Sequence, residues 1–135
     1  MTSVTTEALE SFFIGYGEAL ATGDLPGISG CYAEPAFLLS DATGRVLADR
    51  AQIEGEFDGA AEQHRAEDLV AARPTIVAVE QLGAELVSVD VHWDYVDVDG
   101  RSMVEDGYRY ILRVGDDGRP QICTVVVTPE RLRRG

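Results

Sequence analysis

The spacing of apolar residues changes once along this chain, and that change limits what it can fold into. Before Val70, apart from a short apolar run at 36–40, the apolar residues recur every three or four positions, as on one face of a helix. From Val70 onward they alternate, as on one face of a strand. Helices come first and a sheet comes last, an order that predicts an α+β layer architecture. At 135 residues the chain is read as one domain over 1–135, with an ordered core of about residues 5–130. Met1–Thr5 and Arg131–Gly135 are read as loose ends.

Leu9, Phe12, Phe13, Tyr16, Ala19 and Leu20 share one helical face. Thr5 or Thr6 can cap its start, and Gly23 suits the left-handed position after its end. Asp24 then caps a short helix with Pro26 in its first turn and Ile28, Cys31 and Tyr32 on its buried side. Ala36–Ser40 reads as a short strand, 41–44 as a turn, and Val46–Leu47 as a brief return. A third helix begins near Asp49, where Asp-Arg-Ala-Gln has the spacing of a capping box. Its apolar face runs through Ile53, Phe57, Ala60 and Ala61 towards His64.

Four strands are expected next: 75–80, 86–96, 103–114 and 121–128. Pro74 suits the first position of the first of them. Val87, Val89, Val91, Trp93 and Tyr95 fall on one face; Ser88, Asp90, His92 and Asp94 fall on the other. Asp106 alternates with Val104, Tyr108, Tyr110 and Leu112, and Cys123 with Val125 and Val127. Interior glycine such as Gly107 allows a long strand to curl.

The formal net charge of −13 argues against a nucleic-acid partner, which needs clustered basic residues. The one basic cluster, Arg131, Arg133 and Arg134, is read as a solvated tail. Cys31 and Cys123 have no metal-ligand spacing, so no structural zinc is expected. His92 between Asp90 and Asp94 at period two could suggest a metal, but a solvated sheet face is the stronger reading. No apolar run approaches a membrane span and no signal peptide opens the sequence, so a soluble, cytoplasmic protein with reduced cysteines is expected.

Three pieces in order carry a family resemblance. They are Gly23-Asp24-Leu25-Pro26-Gly27-Ile28, then Tyr32-Ala33-Glu34-Pro35-Ala36, then Asp117-Gly118-Arg119-Pro120-Gln121-Ile122, all behind a first helix that bears Tyr16. Together they resemble the nuclear transport factor 2-like (NTF2-like) superfamily, which includes ketosteroid isomerase and the SnoaL-like polyketide cyclases. The resemblance spans Glu7 to Val127. It implies a cone-shaped, cystatin-like fold: N-terminal helices packed in a strongly curved antiparallel sheet that encloses a pocket.

Carried over by position, the ketosteroid isomerase pattern places Tyr16 and Tyr110 as oxyanion donors. Ser40 falls where the general base is expected, and a serine without an activating partner is no such base. Steroid isomerase activity is therefore not expected. The SnoaL-like pattern needs an inward acid, often with a histidine, for which Asp106 and His64 are candidates. The aspartate–arginine–aspartate set of limonene epoxide hydrolase is not matched, because Arg109 and Arg113 alternate away from Asp106.

The resulting expectation is a lipophilic ring compound bound between sheet and helices. Tyr16, Asp106 and Tyr110 would do the chemistry. Phe12, Phe13, Leu39, Ser40, Phe57, Trp93, Tyr108 and Cys123 would line the site. No cofactor or metal is called for. A homodimer through the outer sheet face is expected, as in the superfamily. The alternative is a non-catalytic ligand-binding or dimerisation module.

Overall fold

The structure, a computed structural model, describes residues 5–128. The basic cluster at Arg131–Arg134 lies outside the described residues. Helix α1 (Thr6–Thr22) is capped by the Thr5 hydroxyl, which accepts from the Ala8 amide at 3.0 Å. It stops at Gly23, whose φ of 73° is the left-handed geometry a helix end favours. Its inner face buries Leu9, Phe13, Tyr16 and Ala19. Helix α2 (Leu25–Ser29) follows with Asp24 as its cap and Pro26 in its first turn.

Strands β1 (Tyr32–Leu39) and β2 (Gly44–Leu47) form a hairpin. Helix α3 (Arg50–Phe57) starts at Asp49, whose carboxylate accepts from the Gln52 amide at 3.0 Å. The Gln52 side chain reaches back to the Ala48 amide, one residue before the cap. The expected single third helix is in fact two. Asp58 leaves helical geometry and Gly59 takes φ 85°, so α4 (Ala60–Ala66) starts on a new axis.

The meander is β3 (Ala71–Gln81), β4 (Leu86–Val96), β5 (Ser102–Val114) and β6 (Pro120–Thr128). One sheet of six strands results, in the order β2-β1-β6-β5-β4-β3. It is not wholly antiparallel as expected, because β1 pairs with β6 in parallel. β3 begins four residues earlier than the alternation suggested, and Pro74 lies inside it. That position is tolerated because β3 is an edge strand, where a missing donor costs no ladder bond.

The core lies between α1 and the concave face of the sheet. Trp93, Phe13, Leu9, Leu112 and Ile122 are fully enclosed there. Gly17 sets how closely α1 approaches. A Cβ at that position would stand 2.9 Å from the Ala72 carbonyl oxygen and 2.9 Å from the Trp93 ring. None of the described helices is long and apolar enough to cross a membrane.

Candidate functional site

A cavity of about 310 Å³ opens between the concave sheet face and the helices, at the low end of the size of small-molecule sites. Helix α1 contributes Tyr16 and Leu20, and β1 contributes Tyr32 and Leu38. The broken third helix brings Glu56, Phe57, Ala60 and His64. The sheet supplies Trp93 and Tyr95 from β4, Tyr108 and Tyr110 from β5, and Val125 and Val127 from β6. Successive inward positions on neighbouring strands stack these rings side by side.

Four of this wall's polar groups form two pairs. The Tyr16 and Tyr32 hydroxyl oxygens lie 2.6 Å apart, both buried. Trp93 donates its indole N–H to the Tyr110 hydroxyl at 2.8 Å. The Tyr16 and Tyr110 rings meet edge to face with centroids 6.2 Å apart, and Tyr108 lies tilted at 6.1 Å from Tyr110. Tyrosine hydroxyls both give and accept, whereas an indole only gives. With Trp93 filling the acceptor role of Tyr110, the Tyr110 proton is left to donate onward. The same holds for whichever of Tyr16 and Tyr32 accepts from the other.

Burial dominates the acidity of these phenols. It holds Tyr16 well above the usual tyrosine range, with the neighbouring Tyr32 and Tyr110 adding to the effect. Burial likewise holds Tyr110 well above that range, partly opposed by the Trp93 hydrogen bond. Tyr32 and Tyr95 are raised for the same first reason, and the Asp106 charge adds a smaller push at Tyr95. All four are therefore neutral donors at physiological pH.

Besides the phenols, Glu56 and His64 face this wall among the described residues. Glu56 is clamped at the rim by Arg45, which donates from both terminal nitrogens to its two carboxylate oxygens. His64 meets Tyr95 at a tilt, with ring centroids 5.3 Å apart.

Of the expected site residues, Tyr16, Phe57, Trp93, Tyr108 and Tyr110 come together here. The others stand elsewhere. Phe13 is wholly buried behind the wall, 4.9 Å from Tyr110 between ring centroids, and Phe12 packs edge-on against it. Leu39 is turned outward, and Leu38 takes the inward place. The Ser40 oxygen accepts from the Ala42 and Thr43 amides and is used up in the β1–β2 turn.

Asp106 is half-buried opposite Trp93 in the ladder but is not among the cavity-lining residues. Cys123 sits in a bulge: Ile111 pairs with Thr124 and Leu112 with Ile122, so Cys123 is skipped and Ile122 and Val125 point inward.

The alternation put Tyr95 on the face of Trp93, where the cavity wall lies, but did not reveal Tyr32, Leu38 or Glu56 as wall residues. Tyr32 was assigned to α2 but opens β1, where the pairing register shifts between Tyr32 and Phe37 and hides the period. Glu56 reaches the cavity from a helix face that carries little apolar signal.

A curved sheet wrapped on N-terminal helices around such a cavity defines an NTF2-like, cystatin-like α+β domain. A family model described as NTF2-like protein (DUF6841) matches residues 6–130, and the chain belongs to that family. No curated protein sequence matches it.

Three solved structures place it among its relatives in fold. An NTF2-like protein of unknown function from Shewanella oneidensis MR-1 is 17% identical, with a TM-score of 0.68 over 92% of this chain and 98% of that one. A domain of unknown function with a cystatin-like fold from Nostoc punctiforme PCC 73102 is 18% identical, with a TM-score of 0.66 over 99% of this chain and 85% of that one. A ketosteroid isomerase-like protein from Erwinia carotovora atroseptica SCRI1043 is 15% identical, with a TM-score of 0.59 over 91% of this chain and 96% of that one. Likeness at this identity concerns the fold.

Proposed function

We propose that the chain binds a lipophilic ring compound that carries a neutral oxygen acceptor, such as a ketone or quinone. The observation that carries this reading is the pairing of Trp93 with Tyr110 beside the Tyr16–Tyr32 pair. It leaves one phenol O–H of each pair to donate to a ligand on a largely apolar wall. Such donors reject a hydrocarbon, because a buried hydroxyl without a partner costs about 1–3 kcal/mol. Glu56 at the rim and the net charge of −13 disfavour an anion.

Trp93 is the single tryptophan and lines the cavity, so its fluorescence reports occupancy. Titration with polycyclic ketones and shape-matched hydrocarbons tests the reading. Ketones are expected to bind at least about tenfold more tightly, a margin that Tyr110→Phe removes. Equal affinity for both series, or an unchanged margin in Tyr110→Phe, would count against it.

A second reading makes the same cavity catalytic, a SnoaL-like cyclase or an isomerase acting by proton transfer. It is favoured by His64 and Glu56 lining the cavity with the phenols. His64 takes the proton-moving part that the sequence suggested for Asp106, and the phenols polarise the substrate oxygen. Deuterium exchange next to a bound ketone carbonyl, lost in His64→Gln and kept in Asp106→Asn, is the expected result. Exchange that survives His64→Gln would end this reading and leave the binding module.

A further inference from the structure

The convex face of the sheet carries a second group of convergent side chains. His92 and Asp94 lie two apart on β4 and share the outer face, opposite the buried Trp93. Glu105 is the cross-strand partner of Asp94 on β5. The His92 Nε2 atom stands 3.4 Å from Asp94 Oδ1 and 3.0 Å from Glu105 Oε1, and the three atoms all lie within 4.8 Å of one another. We propose that these three side chains form a surface site for a first-row divalent metal ion of the zinc type.

The geometry suits such an ion. Two ligands each about 2.1 Å from a common centre, at tetrahedral or octahedral angles, lie roughly 3.0–3.4 Å apart. Both distances from His92 fall in that range. The third edge closes by small rotations of carboxylates that border solvent.

Supporting groups surround the set. Ser102 donates its hydroxyl to Asp94 Oδ1 at 3.0 Å, an outer-layer bond that orients a ligating carboxylate. Gly107 faces His92 directly across the ladder and adds no side chain of its own there. On the same strands, Arg109 is held by Asp90 through two hydrogen bonds. One imidazole and two carboxylates carry two negative charges, and a first-row ion is preferred to magnesium because of the nitrogen ligand. The remaining coordination positions face solvent and take water.

The chain has two histidines, which makes the test direct. Their imidazole resonances are followed by NMR in the full chain during a Zn²⁺ titration, with Mg²⁺ as comparison and calorimetry for affinity. Zn²⁺ is expected to shift the His92 ring saturably and leave His64 in place. His92→Ala, Asp94→Asn and Glu105→Gln should each weaken binding at least about tenfold, and Ser102→Ala by less. All four sites border solvent, and amide spectra of the variants check that the fold is kept. A matching shift at His64, affinity indifferent to Glu105→Gln, or no saturation below about 1 mM Zn²⁺ would overturn the proposal.

Discussion

Tyr16 and Tyr32 hold each other's hydroxyl groups 2.6 Å apart inside the core, one from the first helix and one from the first strand. The pair ties α1 to β1 at the cavity wall. Removing one oxygen leaves the other buried without its partner. Tyr16→Phe or Tyr32→Phe should each cost about 1–3 kcal/mol of unfolding free energy in urea titrations. The double variant should cost clearly less than the sum of the two, since neither orphaned oxygen then remains. Additive losses would show that the hydroxyls act independently.

Two glycines of α1, only two positions apart, should respond with opposite signs to alanine. Gly15 has nothing within 4 Å of a new Cβ, so Gly15→Ala is expected to stabilise the helix by up to about 1 kcal/mol. Gly17 has a backbone oxygen and the buried Trp93 ring at 2.9 Å. Gly17→Ala should destabilise by about 1–3 kcal/mol despite the same gain in propensity. Thermal melts of the two variants distinguish the outcomes.

Alkali should unfold this protein steeply. Tyr16, Tyr32, Tyr95 and Tyr110 all have phenols raised by burial, whereas in the unfolded chain they ionise near pH 10. Their contribution is fully present below about pH 10 and falls as pH rises beyond it, because the unfolded chain then releases protons that the native one keeps. Each can remove up to about 1.4 kcal/mol per pH unit above that point. Urea midpoints should be flat up to about pH 9 and then drop, with phenolate absorbance appearing together with unfolding. Phenolate absorbance from these residues in a still-folded protein would contradict it. Cys31, pushed up to about 11 by burial, should react slowly with thiol reagents at neutral pH.

Much of the fold was readable because its signals are local. Thr5, Gly23, Asp24 and Asp49 mark helix ends through their own backbone and side-chain chemistry. The valines of β4 and Trp93 follow a strict period of two and are buried as that period requires. The failures have a common physical cause, an interruption of period. A register shift early in β1 hides Tyr32, a bulge in β6 removes Cys123 from the wall, and the break at Gly59 splits the expected third helix in two. The parallel pairing of β1 with β6 is set by contacts between distant segments, which no local pattern encodes.

That parallel pairing also bears on how the protein is made. The β1–β2 hairpin leaves the ribosome early, but the strand that covers the other edge of β1 is the last of the sheet to be synthesised. Until β6 emerges, β1 presents unpaired amides and carbonyls, a template for the wrong chain as readily as for the right one. Loop closure between strands so far apart is slow compared with helix formation or hairpin closure. The helices and the β3–β4–β5 meander can therefore assemble during translation, while the cavity wall is completed only when the final strand slides between β1 and β5.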